Sequence, residues 1–308
     1  MSPIRLALVG LGKIARDQHL PAIAATDGIE LVAVASRNAS LDGVAHFATL
    51  ADLLASGEPI DAVALCTPPQ GRHDLAAQAL KAGKHVLLEK PPGATVSELG
   101  PLVAAAQASG RTLFATWHSR FAPAVEPARA FLSEVPARAV TITWKEDVRV
   151  WHPGQRWIWE PGGLGVFDPA INALSILTAI LPRAVFVTGA ELSFPSNCSA
   201  PIAATVDLAD AAGLAVRADL DFLQTGPQSW DIAIETDRGA LLLAQGGAKL
   251  TLDGQVLSAQ PEAEYRNIYK HFVELVETGR SDVDLAPLQL VADAFLLGRR
   301  IDVAPFHD

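Results

Sequence analysis

Lys90 leaves an apolar run, His85-Val86-Leu87-Leu88, one residue behind Glu89, and Pro91 and Pro92 follow at once. Prolines restrict the backbone beside it, so this lysine is held in place rather than left free in solvent. A held lysine can polarise or deprotonate a hydroxyl, or stabilise the alkoxide that forms from it. A second pair, Asp168 and Asn172, stands four residues apart in an otherwise apolar stretch. On a helix the two share one face, a turn apart, and the carboxylate is the more natural proton acceptor at neutral pH. The plainer alternative for the pair is a helix cap or an exposed polar stripe. The third constellation is Gly10-x-Gly12-x-x-Ala15, directly after the apolar run that opens the chain. Gly10 permits a tight turn, Gly12 lets the backbone approach a pyrophosphate, and a small residue at 15 lets helix and strand pack closely. A helix starting there offers N–H groups and the positive end of its dipole to phosphates.

The end of the second strand decides which dinucleotide fits. NAD enzymes usually carry an acid there for the ribose 2′-hydroxyl. This chain reads Ala35-Ser36-Arg37-Asn38, with no carboxylate. Ser36 can donate a hydrogen bond and Arg37 can pair with a 2′-phosphate, so NADP is the expected cofactor. If Arg37 is only a surface residue, NAD binds as well. Lys13 and Ile14 in the glycine turn, Thr67 and Pro68 after the third strand, and Glu89 and Lys90 complete the expected cofactor-binding set.

These residues need elements that bring them to one rim. Apolar runs recur at 6–9, 31–35, 62–66, 85–88 and 112–115, with helix-like stretches between them, clearest at 76–81 and 96–108. Gly83 and Gly110 stand where helix C-caps belong. The alternation predicts βαβ units and a Rossmann-type doubly wound parallel sheet over residues 1–119, whose ligands sit beyond the carboxyl ends of the strands. From 120 to 308 the texture changes. Residues 139–147 alternate like a long strand, and 163–181 carry a helical period. Strand-like segments follow at 185–192, 205–208, 214–223, 229–236, 240–244 and 250–252, before helix-like 265–278 and 287–299. Short turns at Asp237-Arg238-Gly239 and Asp253-Gly254 favour an antiparallel meander. The expectation is an α/β chain whose second, α+β domain carries a large, mostly antiparallel open sheet.

Composition narrows the function classes. The chain holds 24 basic and 34 acidic residues, a net charge of −10, which repels nucleic acid and anionic membrane surfaces. No apolar run approaches the ~20 residues of a membrane helix. Two cysteines, Cys66 and Cys198, suggest no disulfide framework and fit a reducing cytoplasm, with Cys66 a small buried residue.

Glu89-Lys90-Pro91, with Gly10-x-Gly12-x-x-Ala15 ahead of it, resembles the oxidoreductase family of glucose–fructose oxidoreductase and inositol dehydrogenase (Gfo/Idh/MocA) through most of the chain. The resemblance implies a cis Lys90–Pro91 bond and a catalytic Lys90. The family's second signature, a glycine cluster followed by D-x-x-x-H, is similar to Gly162-Gly163-Leu164-Gly165 through Asp168 to Asn172, with Asn172 in place of the histidine. Within the family, Thr116-Trp117-His118-Ser119-Arg120, Trp144-Lys145-Glu146-Asp147, Trp151-His152-Pro153-Gly154-Gln155 and Trp157-Ile158-Trp159-Glu160-Pro161-Gly162-Gly163 resemble the aldose 1-dehydrogenases that oxidise L-arabinose and D-galactose. Four of the six tryptophans lie within residues 144–159. Tryptophan beside carboxylates and histidines suits a sugar, whose C–H face stacks while its hydroxyls meet polar groups. The same cluster also suits a domain-interface core.

The resemblance implies hydride transfer from an anomeric carbon to nicotinamide, with Asp168 and Lys90 catalytic. Glu146, His152, Asn172, His118, Trp151 and Trp230 are the implied sugar contacts. His118 and His152 belong to no metal-ligand spacing, so no metal is expected. The alternatives are another sugar or cyclitol, a bilin-like substrate, or a sugar-sensing regulator of the same fold without turnover. A monomer is compatible with these features, and the resemblance also allows a homo-oligomer through the second domain's sheet.

Overall fold

In the computed structural model, which describes residues 2–261 and 263–307, the first third folds into short strands that, apart from the partly exposed one at 45–47, are largely buried on both faces. They are β1 (Ile4–Val9), β2 (Ile29–Ala35), β3 (Ala45–Phe47), β4 (Ala62–Leu65), β5 (His85–Leu88) and β6 (Leu113–Ala115). All pair in parallel, in the order β3-β2-β1-β4-β5-β6. Every residue of β4 is buried, as a strand covered by helices on both faces requires. Helices α1 (Leu20–Ala24), α2 (Leu50–Ser56), α3 (Arg72–Lys81) and α4 (Leu99–Ser109) connect the strands. Gly83 and Gly110, at φ 72° and 62°, end α3 and α4 in the left-handed conformation expected of C-cap glycines. The sequence pattern starts α4 at Val96. Glu98 instead turns its carboxylate back to the Thr95 N–H (2.5 Å), and regular helix begins only at Leu99. Strand β3 and helix α2 are too short to show a period in sequence.

The second sheet has nine strands: β7 (Ala137–Lys145), β8 (Val185–Pro195), β9 (Ala203–Asp210), β10 (Ala215–Asp221), β11 (Ser229–Thr236), β12 (Gly239–Ala244), β13 (Lys249–Leu252), β14 (Gln255–Ala259) and β15 (Arg299–Val303). Their order is β14-β13-β12-β11-β7-β10-β9-β8-β15. The hairpins at 237–239 and 253–254 are present and β11 to β14 form the expected antiparallel meander, while β7, which lies between β11 and β10 and runs parallel to β10, makes the mostly antiparallel sheet a mixed one. Alternation in a strand reveals which face is buried, not which strand lies alongside. Helices α5 (Val125–Glu134), α6 (Val148–Trp151), α7 (Phe167–Ile180), α8 (Glu264–Thr278) and α9 (Ala286–Leu297) complete the chain. The inner face of the sheet carries Val140, Ile142 and Trp144 on β7, opposite Val216, Ala218 and Leu220 on β10. The outer face is polar, with Lys145 on Asp219 (2.5 Å) and Arg217 on Asp207 (2.8 Å).

Two units emerge: the chain up to His118 with Tyr265–Asp284, and Ser119–Glu264 with Leu285 onward. Helix α8 thus belongs to the first unit, although it follows the second sheet in sequence. It buries Tyr265, Ile268, Tyr269, Phe272 and Leu275 along one stripe. Phe272 stacks on Phe114 of β6 with ring centroids 6.4 Å apart, and the Ala115 N–H donates to the Asp282 carbonyl (2.9 Å). A helical period announces a buried face without saying which sheet buries it. Among the described residues no helix is long and apolar enough to cross a membrane.

Candidate functional site

In the first unit, β1 delivers the glycine turn at the point where the sheet order reverses between β2 and β4, where α/β sheets bind ligands. Gly10 donates to the Ala35 carbonyl (2.9 Å). It sits at φ 91°, and a Cβ there would lie 3.0 Å from Thr67 Cγ2 and 3.1 Å from Thr67 N, so only glycine fits. A Cβ on Gly12 would meet nothing within 4 Å, so that side of the turn is open to a close-approaching ligand. Thr67 Oγ1 is buried without a protein hydrogen bond, a polar atom that calls for such a partner. The turn, the open side at Gly12 and this hydroxyl fit a dinucleotide pyrophosphate. Helix follows over 13–24, with a π-helical turn at Ala15–His19. Lys13 is exposed and pairs with Asp17, Ile14 is exposed, and Pro68 is exposed next to Thr67.

At the end of β2, the Ser36 N–H donates to the Phe47 carbonyl (2.9 Å) and its own carbonyl contacts His46 Nε2 (2.9 Å). Arg37 beside it is exposed. Arg16, absent from the sequence-based set, sends Nη2 to the Ser40 carbonyl (3.4 Å) and so brings a second cation to the same loop. No motif marks it.

Strand β5 delivers Glu89, buried, and Lys90, half-buried. The Lys90–Pro91 bond is cis, as the resemblance implied. Arg72, 2% exposed, donates its guanidinium to the carbonyls of Thr67, Glu89 and Pro91, pinning the ends of β4 and β5 together. The Glu89 carboxylate accepts from the Lys90 N–H (2.7 Å), from Tyr265 Oη (2.9 Å) and from His19 Nε2 (3.0 Å). His118 stacks on Tyr265 at 5.3 Å, so it lies in this unit beside Glu89. Burial alone would raise the Glu89 carboxyl. The His19 hydrogen bond and charge, with His118 and Lys90 beyond, bring it down to about 2. Sequence reasoning missed Arg72, His19, Tyr265 and Tyr269, because contacts between distant elements leave no local spacing.

In the second unit, alternation along β7 places Trp144 and Glu146 on the inner face, two residues apart. Trp230 pairs across from Trp144 on β11 and donates Nε1–H to Glu146 Oε2 (2.8 Å). Trp151, 40% exposed at the end of α6, meets Trp230 edge-on at 4.8 Å. His152 lies against Phe222 at 5.5 Å, with Nε2 3.2 Å from Glu146 Oε1 and Nδ1 3.8 Å from Asp168 Oδ2. Asp168 is 2% exposed in the first turn of α7, where the helix dipole favours a carboxylate. Asn172, half-buried, follows one turn later. Glu146, His152, Asp168, Asn172, Trp151 and Trp230 therefore gather in this unit, while the cofactor set, Lys90 and His118 gather in the first. Glu146 Oε1, His152 Nδ1, Asn172 Oδ1 and Trp144 Nε1 are buried and make no hydrogen bond to the protein. Among the described residues no three or more His, Cys, Asp or Glu side chains gather as a metal site requires.

Residues 4–116 match the model of the Gfo/Idh/MocA oxidoreductase family, NAD-binding Rossmann fold. The chain is 50% identical, over the whole of both chains, to galactose 1-dehydrogenase of Pseudomonas fluorescens. The crystal structure of a D-galactose-1-dehydrogenase protein from Rhizobium etli superposes with a TM-score of 0.96 at 57% identity, covering 100% of this chain and 99% of that one. A 3-ketoreductase of Actinomadura kijaniata in complex with NADP shares the fold, with a TM-score of 0.83 at 18% identity over 98% of this chain and 100% of that one.

Proposed function

Because the chain belongs to the Gfo/Idh/MocA oxidoreductase family and is a sugar dehydrogenase, we propose that it oxidises the anomeric carbon of D-galactose, L-arabinose or both to the lactone, with NADP as the preferred acceptor. The observation that carries this reading is the set of buried polar atoms that make no protein hydrogen bond, Asn172 Oδ1 and Trp144 Nε1 with the Glu146–His152 ion pair, beside Trp230 and Trp151. Buried polar atoms require hydrogen-bond partners, and a polyhydroxylated ring supplies several at once while its C–H face meets indole. Galactose and arabinose pyranoses share ring configuration, and the former adds one hydroxymethyl group. One site accommodates both wherever that group finds room.

In the reaction the C1–H bond breaks with its electron pair, the C1 hydroxyl loses its proton, and a C=O bond forms. The dinucleotide, when bound, accepts the hydride. Asp168 takes the hydroxyl proton and Lys90 stabilises the forming alkoxide. Glu146, His152 and Asn172 hold hydroxyls, with His118 a further contact. Gly10, Gly12, Lys13, Ile14, Thr67 and Pro68 seat the pyrophosphate and its neighbours. Ser36 and Arg37 receive the 2′-phosphate. A cytoplasmic location fits this chemistry. Any self-association would use the polar outer face of the nine-stranded sheet.

The test mixes the full chain with NADP or NAD and a panel of D-galactose, L-arabinose, D-glucose and a cyclitol, following reduced nicotinamide by absorbance. Fast reduction with galactose or arabinose is expected, with the lactone as product. A faster cyclitol sinks the aldose assignment. Sugar binding without reduction under either cofactor favours a regulator.

A further inference from the structure

We propose that His19 is a positioning residue for Lys90, acting through Glu89 inside a buried polar network that α8 closes. The inference rests on the role given to Lys90 above. Glu89 Oε2 accepts from the Lys90 backbone N–H (2.7 Å), so the carboxylate fixes the chain at the root of the lysine side chain. Glu89 Oε1 accepts from Tyr265 Oη (2.9 Å) and from His19 Nε2 (3.0 Å), and His19 Nδ1 meets Tyr269 Oη at 2.6 Å. His19 is fully buried and Glu89 is 3% exposed. Three separate elements therefore converge: the π-helical turn behind the glycine loop, the end of β5, and α8. Such turns often mark functional sites, and this one carries His19 into the interior.

A carboxylate this deep persists in ionised form only when paired and hydrogen-bonded. Cys66, Tyr265, Tyr269 and Glu89 face the imidazole, and His118 and Lys90 face Glu89 from its other sides. Burial by itself would lower the His19 imidazole, but Cys66, Tyr269 and Glu89 outweigh it and raise it well above its ordinary value. The imidazolium then donates to Glu89, and Glu89 stays free to hold Lys90. Since His19 lies on the helix that the glycine turn opens, the dinucleotide-binding turn and the root of Lys90 share one network. Without His19 the carboxylate would pick up a proton or turn away, and Lys90 would lose its anchor.

The experiment compares wild type with His19→Leu, His19→Gln, Tyr269→Phe and Lys90→Met. Each full-length enzyme is assayed with NADP and the best aldose of the panel, with kcat, KM and the pH profile of kcat resolved. His19→Leu is expected to lower kcat on the order of 10²-fold, as misplacing a reacting group by about 1 Å does, with little change in KM for sugar. It also gains an acid limb at higher pH than wild type, because Glu89 without its counter-charge ionises less readily, and adding Glu89→Gln removes that limb. A merely structural loss would lower stability without moving the profile. His19→Gln, which keeps a donor but no charge, falls between. Wild-type kcat and an unmoved profile in His19→Gln or His19→Leu would overturn the proposal. If His19→Leu does not fold, Tyr269→Phe decides: a smaller shift in the same direction supports the tether, and an unchanged profile sinks it. Lys90→Met with wild-type turnover removes the role given to Lys90. An inactive Lys90→Met beside unaffected His19 variants removes only the tether.

Discussion

In the proposed reaction, single side chains set cofactor choice and the chemical step. Arg37 next to Ser36, with no acid at the end of β2, is the basis for proposing NADP. Arg37→Ala should cut the NADP/NAD ratio of kcat/KM by roughly tenfold, equivalent to about 1.4 kcal/mol. Ser36→Asp should swing it toward NAD, since a carboxylate accepts from a 2′-hydroxyl and repels a 2′-phosphate. An unchanged ratio in Arg37→Ala removes the assignment. Lys90→Met and Asp168→Asn should each cost ~10²–10⁴ in kcat while NADP still binds. Asn172→Ala should act mainly on KM for sugar. Proton transfer is assigned through the acid limb of kcat/KM: its loss in Asp168→Asn alone supports Asp168 as the base. Glu89 and His19 predict a pH dependence of stability with opposite signs on the two sides. The Glu89 carboxyl sits at about 2 against an ordinary 4.5, so its contribution is complete above 4.5 and disappears as pH falls toward 2. His19 is raised above 6.5, so its contribution is complete below 6.5 and disappears as pH rises through the folded value. Thermal melts across pH should show a plateau between these limits, and Glu89→Gln should flatten the acid side.

At the scale of elements, the loop into α7 carries the strictest packing. A Cβ on Gly163 would lie 2.2 Å from the Trp157 carbonyl oxygen and 2.4 Å from that of Ile158, backbone atoms with no room to yield. Gly163→Ala should destabilise by about 1–3 kcal/mol and displace the first turn of α7, with KM for sugar rising more than KM for NADP. A mutant with unchanged Tm and sugar KM would show that the loop adapts. The glycine and the Asp168–Asn172 spacing were both visible in the sequence. The reason for the glycine was not, because the carbonyls it avoids are placed by the fold of residues 156–159.

For the molecule as a whole, the return of Tyr265–Asp284 to the first unit builds that unit from two separate stretches of the chain. A fragment ending at residue 118 lacks Tyr265, Tyr269 and Phe272, and it leaves Glu89 and Phe114 without their cover. Such a fragment should fail to unfold cooperatively or to bind NADP, whereas the full chain at 100-fold Kd of NADP should gain about 2.7 kcal/mol. A cooperative, NADP-stabilised melt of the fragment would show that α8 is dispensable.

The sequence alone determined the strand–helix alternation, the glycine turn, the Lys90 strand end and the Asp168–Asn172 helix face. Each is a local pattern whose period or spacing is written along the chain. It also carried the family resemblance, since that rests on short contiguous motifs. Only the tertiary structure decided that β7 sits between β11 and β10, that α8 closes the first unit, and that His118 stacks on Tyr265 beside Glu89. The same holds for Arg72, which reaches three strand-end carbonyls, and for His19, which meets a carboxylate 70 residues away. Burial supplies the physical reason. A polar side chain taken into the interior must find its partners wherever the fold brings them, and no spacing in the chain records where that is.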